Sequence, residues 1–282
     1  MLAFVRIITT AILLLPVAAP LAATTAEQAR QILTQKTIPS WKSAAAQIAN
    51  QKKQLVYLPQ DLNWSQLDDL LKSKTETAVL GKVGDPSNRK ELHLNASWLR
   101  WKILTDKSDG RYSYVYSHLL GLMKDGQGDF MREAVVFYFH GRLATTVDGS
   151  RCKDKSSPQV IIDGYESQSG YKRIREAIEK MPADQRAASI IEAIAIEETV
   201  GERAPIEWLC TLGVQSMQRA LEQGRKFEKT GDADGQGLLG GKGNTLTLDT
   251  SGIKVDMVSP EEWTRLRRKV LDDLFAEVVK HL

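Results

Sequence analysis

Two acids and a histidine sit where acid–base chemistry would need them. Glu133 and His140 are seven residues apart in the most apolar stretch of the chain, Phe130 to Val147. On a helix that spacing puts both on one side, about 10.5 Å apart along the axis. A carboxylate and an imidazole in apolar surroundings have shifted pKa values, which suits proton transfer or metal binding. The blander reading gives each a backbone group or an arginine as partner, and it carries more weight. His118 is the third group expected nearby if the pair is functional. Glu198 falls between Ile191 and Ile194 on a helical wheel. Desolvation there would raise its pKa, as a general acid needs. Glu197 or Asp163 facing it across a cleft would complete the two-carboxylate set of a glycan-cleaving enzyme. An ion pair with Arg203 or Arg219 is the commoner fate of such a carboxylate.

Cys152 and Cys210 are the only cysteines. CxxC spacing is absent, so a structural disulfide is expected rather than a metal pair or a reactive thiol. Closing a loop of about 59 residues would stabilise the fold by roughly 4 kcal/mol in the chain-entropy model.

Other matches fail on context. Gly235 to Gly240 reads G-x-G-x-x-G, but a dinucleotide site needs a strand before it and a helix after it. Here a helix precedes and a strand is expected to follow. Asp232-Ala233-Asp234 starts like a calcium loop, yet Gly243 stands where the bidentate glutamate belongs. Ser87 to Lys90, Ser108 to Gly110 and Lys229 to Gly231 resemble, in order, the S-x-x-K, S-D-N and K-T-G elements of a serine β-lactamase. Ser87 lies in a polar loop rather than at the start of a buried helix, and S-x-x-K recurs at Ser150, Ser169 and Ser251. Nothing in the pattern calls for a metal or a cofactor. Asn63 and Asn95 match the glycosylation pattern, which matters only in a eukaryotic host.

The elements that must position these groups are mostly helices. Residues 25–53 read as two helices broken at Pro39, and Leu67, Leu70 and Leu71 mark another. Phe130 to Val147 is apolar almost all round, which means a buried helix; Val135 to Phe139 alone would also suit a strand. Ser150 to Gly170 reads as a polar loop with a short strand at Val160 to Ile162. Tyr171 to Lys180 and Asp184 to Glu202 are helices. Pro205 opens a helix with Ile206, Leu209, Cys210, Gly213 and Met217 on one face, so Cys210 points inward. Thr245 to Asp249 and Ile253 to Val258 alternate across Thr250-Ser251-Gly252, a β-hairpin pattern. Ser259-Pro260-Glu261-Glu262 then caps a last helix. The expected fold is mainly α: a helical array of about eight to ten helices, one disulfide, and a small C-terminal β-hairpin plus helix. The expected divisions are a signal peptide at 1–23, a helical domain at 24–230, a glycine-rich linker at 231–244, and the hairpin and helix at 245–282.

Met1 to Ala23 has the charged, apolar and small-residue order of a cleavable secretory signal, with cleavage after Ala22 or Ala23. Its apolar run is short for a span of about 20 residues. No second run approaches that length, so no membrane span is expected in the mature chain. The net charge of +3 is near balance, against the strong basic excess of a nucleic-acid binder. These features point to an exported protein, periplasmic or secreted, that binds a protein partner in the cell envelope. Trp98, Trp101 and Tyr112 are the candidates for an exposed aromatic patch. The alternative is a hydrolase of cell-wall glycan or peptide using Glu133, His140 or Glu198.

Overall fold

The computed structural model describes residue 46 and residues 48–50, 62–87, 89–123, 130–230, 245–250 and 252–280. The signal segment, nearly all of the two helices expected over 25–53, and the glycine-rich stretch 231–244 lie outside these residues. Helix accounts for 76% of what is described, which makes the fold mainly α. In chain order the helices are α1 (Leu62–Ser73), α2 (Glu76–Gly84), α3 (Arg89–Thr105), α4 (Gly110–Leu122), α5 (Phe130–Gly149), α6 (Ser157–Glu166), α7 (Lys172–Lys180), α8 (Ala183–Val200), α9 (Glu207–Cys210), α10 (Val214–Glu222) and α11 (Pro260–Lys280), with a 3₁₀ turn at Ser169–Tyr171. Among the described residues no helix is long and apolar enough to cross a membrane.

α4 and α5 form the centre. Residues from Gly110 to Gly121 are buried on every side of α4, and Ala134 to Tyr138 are buried on α5. The two backbones come very close. A Cβ on Gly110 would lie 2.5 Å from the Gly141 carbonyl oxygen. Only the missing side chain permits that approach. Around this pair lie Trp98, Leu99 and Ile103 of α3 and an aromatic group in which Tyr114 stacks on Tyr165 at 4.6 Å. A second core joins α11 to α5 and α8, with Trp263, Leu271 and Phe275 against Leu143, Val147 and Ile190.

Three local expectations differ from the structure. Residues 157–166 form α6, not a loop with a short strand. Pro158 suits its first turn, and Ile162 and Tyr165 turn into the core. The helix expected after Pro205 is two helices broken at Gly213. The Ser156 hydroxyl and the Asp154 carboxylate accept hydrogen bonds from the Val214 and Gln215 amides, at 2.9 and 2.8 Å. They cap α10 from a remote loop, and a Cβ on Gly213 would meet Asp154 Oδ2 at 2.2 Å. Finally, the hairpin between Thr245–Asp249 and Ile253–Val258 is not seen. Thr245–Leu248 (β2) pairs antiparallel with Phe227–Thr230 (β1), with Phe227 opposite Leu248.

Candidate functional site

The residues expected to do chemistry belong to separate networks. His140 is fully buried on α5. Its Nδ1 lies 2.7 Å from the Ser113 hydroxyl, and its Nε2 faces Glu197 Oε2 at 3.6 Å, too far for a hydrogen bond. Burial lowers the imidazole pKa more than the neighbouring Glu197 raises it, so the ring is neutral. Glu133 is elsewhere: it accepts the Tyr116 phenol at 3.0 Å and lies 3.5 Å from Arg100. His118 sits on the Gly170 carbonyl at 3.3 Å. Glu198 lies 3.9 and 3.7 Å from Arg267 and Arg268. Asp163 accepts the Gln159 amide at 2.6 Å. Glu133, His118 and His140 therefore do not converge, and Glu198 has arginines rather than a second acid for company.

The buried carboxylate on α8 is Glu197, one position from the one singled out by sequence. Ile190, Ile194 and Glu197 are spaced i, i+4, i+7, so Glu197 continues the apolar face. Arg203 clamps it through Nη2 at 3.1 Å and Nη1 at 2.9 Å, while its Nε donates to Asp148 at 2.9 Å. Arg267 Nη2 donates to the Glu197 carbonyl at 3.1 Å. Burial drives the Glu197 carboxyl up, but Arg203 and His140 outweigh it and leave it below the usual range. For Asp148 burial wins over Arg203, and its pKa is raised to about 6. The cluster ties α4, α5, α8 and α11 together through Ser113, His140, Asp148, Glu197 and Arg267. Ser113, His140 and Glu197 have no exposed surface to speak of, and neither large cavity of the molecule is lined by them.

The aromatic patch is also inside. Trp98 is fully buried with its indole N–H donating to Asp68 at 3.1 Å. Tyr112 is 2% exposed and its hydroxyl donates to Glu76 at 2.7 Å. Trp101 is half-buried against Trp64, ring centroids 5.9 Å apart, beneath the Lys102 ammonium. Trp98 and Tyr112 found inward polar partners, which removes them from the surface, and Trp101 is left partly exposed beside a second ring. Asn95 is buried too, its side chain donating to the Val83 carbonyl at 3.0 Å, so it is no glycan acceptor in this fold.

Two large open cavities lie among the described residues. One, about 420 Å³, lies between α5, α6, α8 and α11 over Leu143, Ile162 and Leu274. Its rim charges are already spent within the fold: Arg142 pairs with Glu166 at 3.2 Å and Asp273 with Lys269 at 2.6 Å. The other, about 820 Å³, lies between α9 and the segment from Leu248 to Met257. Glu207, Trp208 and Thr211 form one wall and Ile253, Lys254 and Val255 part of the other. Glu207 and Lys254 are exposed, and their side chains make no hydrogen bond or close ion pair among the described residues, Lys254 lying near enough to Asp256 to help lower its pKa.

The α9 wall of this second cleft and the 254–258 part of the other are tied to the rest of the fold. The Cys152–Cys210 disulfide joins α9 to the loop after α5. Leu209 and the two cysteines form a floor with Trp208, Val255 and Met257 packed on it. Ser157 and Ser216 both donate to the Cys210 carbonyl, at 3.1 and 3.2 Å. Opposite, the Lys153 amide donates to the Asp256 carbonyl at 3.0 Å and the Val258 amide to the Arg151 carbonyl at 2.8 Å. Arg219 adds bonds to the Lys254 carbonyl and the Asp256 carboxylate at 2.8 and 2.9 Å. The Arg111 guanidinium lies 4.0 Å above the Trp208 ring and is itself held by Asp109 and Glu76. The Trp208 indole N–H has no partner among the described residues. Sequence reasoning reached Cys152 and Cys210 but not Trp208, Glu207 or Lys254, for which neither spacing nor motif gives a signal. No family model, no curated protein and no solved structure matches this chain.

Proposed function

We propose that this is an exported helical protein that works by binding a protein partner in the cell envelope, through the cleft between α9 and the 248–257 segment. The observation that carries the reading is the cleft itself: an apolar floor over the disulfide, a half-buried tryptophan whose N–H has no partner among the described residues, and the exposed charges of Glu207 and Lys254, of opposite sign, on its two sides. That mixture of aromatic anchor and polar rim is how binding energy is concentrated at protein interfaces. The first 23 residues have the order of a secretory signal, and a disulfide in a chain with only two cysteines fits an oxidising compartment. A glycan- or peptide-cleaving activity draws no support from Glu133, His140 and Glu198, whose partners are separate.

The test is site-specific photo-crosslinking in the producing cells. A crosslinker at Thr211, in the cleft, is compared with one at the exposed Glu179 on α7. The expected result is one protein captured from Thr211 and not from Glu179. Once that protein is identified and purified, Trp208→Ala weakens its binding by roughly tenfold or more. Equal capture from both positions, or an unchanged affinity in Trp208→Ala, overturns the reading.

A further inference from the structure

Around Met257 the segment bordering the cleft forms an isolated antiparallel bridge with Cys152, and its opposite edge has no hydrogen-bond partner among the described residues. The carbonyl of Asp256 and the amide of Val258 point to Arg151–Lys153, in the pattern of an antiparallel bridge between Cys152 and Met257. The Lys254 carbonyl is taken by Arg219. An extended backbone turns the amide and carbonyl of successive residues to opposite sides. Those of Val255 and Met257 therefore face away from Arg151–Lys153, and they have no hydrogen-bond partner among the described residues. Val255 and Met257 are half-buried, and their side chains pack on the disulfide floor. An open edge in a protein is a pairing hazard unless something uses it.

We infer that the cleft takes an extended segment of a partner protein, which adds as a strand along the Val255–Met257 edge and sets a basic residue against Glu207 and an acidic residue against Lys254. This rests on the binding reading above and names its mode. Backbone pairing along the edge supplies the register, and alternate apolar side chains of the segment meet Trp208 and Ile253. Glu207 and Lys254, on opposite sides of the cleft, fix the direction in which the segment runs, since the reversed segment sets like charges together; Asp249, on the Lys254 side, lies 3.6 Å from Arg225. The indole N–H of Trp208, without a partner among the described residues, is a donor for a carbonyl of the added strand.

The experiment selects binders from a display library of random seven-residue peptides against the full chain, with the Trp208→Ala protein as the counter-target. The expected binders alternate apolar and polar residues and carry one residue of each charge. Binding slows amide exchange at Val255 and Met257. Val255→Pro, which removes one edge amide, weakens binding about tenfold. Because that variant disturbs the floor, a second arm leaves the backbone alone. The double reversal Glu207→Lys with Lys254→Glu loses the selected peptide and regains a peptide of the same sequence with its two charges exchanged. Binders with helical i, i+3, i+4 spacing, unchanged exchange at Val255 and Met257, or indifference to the reversal overturn strand addition while leaving a Trp208-dependent cleft in place. Failure to obtain any Trp208-dependent binder overturns the cleft as a binding site altogether.

Discussion

The buried ionic cluster and the open cleft divide the molecule's chemistry between them in opposite ways. The cluster holds the groups an enzyme would use, a serine, an imidazole and two carboxylates, but seals them under four helices with two arginines. The cleft holds little chemistry, a tryptophan, two acids, a lysine and a stretch of backbone unpaired among the described residues, yet it is open to solvent. Perturbed titration alone would direct attention to the cluster. Access directs it to the cleft, because a group that no solvent or ligand can touch acts only on the fold. In the cluster every charge has answered another charge of the same chain. At the cleft rim Glu207 and Lys254 make no hydrogen bond or close ion pair among the described residues.

The largest effect expected is on the cluster. Glu197→Ala takes the shared carboxylate from Arg203 and Arg267 and leaves them with Asp148 and Glu198 alone, a loss of about 3–5 kcal/mol, read as a lowered denaturation midpoint. Peptide affinity at the cleft, measured on the fraction that remains folded, stays at the wild-type value. Next comes the disulfide, which underlies the cleft. Replacing Cys152 and Cys210 together by serine costs about 2–4 kcal/mol in stability, and here binding weakens as well because α9 is no longer tied to the floor. A cluster variant that lost binding, or a disulfide variant that kept it fully, would erase the distinction between the two regions.

A smaller and more selective effect is the pH dependence of the cluster. His140 titrates at about 6.5 when unfolded and lower in the fold, where burial keeps it neutral. Protons therefore favour the unfolded chain, and stability falls as pH drops below 6.5. Glu197 acts in the same sense at lower pH: its folded pKa is depressed, so its contribution is present above 4.5 and lost as pH falls through the folded value. Asp148 opposes both. Its pKa is raised from 3.8 to about 6, so its contribution is fully present below 3.8 and lost as pH rises through 6. His140→Asn flattens the drop in Tm between pH 6.5 and 5, and Asp148→Asn steepens it. Parallel curves for the three proteins would contradict this assignment. The smallest effect on stability is at the cleft. Trp208→Ala removes the stacking under Arg111, worth about 0.5–2 kcal/mol, while costing binding far more than either cluster variant.

Much of the scaffold was legible in sequence and most of the cleft was not. The apolar run from Phe130 to Val147 read as a buried helix because length outweighed the strand-like residues inside it. The two cysteines read as a disulfide by count and spacing. The acid on α8 was missed by one position. A wheel centred on Ile191 favours Glu198, whereas the buried face runs through Ile190 and Ile194 to Glu197. Trp98 and Tyr112 looked like surface anchors because their polar partners, Asp68 and Glu76, are 30 and 36 residues away in the chain. The β-branched Val160 to Ile162 concealed α6, whose start is marked by Pro158. The cleft arises where three stretches distant in sequence meet, around Cys152, Trp208 and Val255, and no local pattern announces such a meeting.

The most direct test sets the two regions side by side: the affinity of a cleft-selected peptide for Trp208→Ala and for His140→Asn, at a temperature where both are folded. The account predicts a loss of roughly tenfold or more in Trp208→Ala and the wild-type value in His140→Asn. Loss of binding in His140→Asn with Trp208→Ala unaffected would place the function in the buried cluster and contradict it.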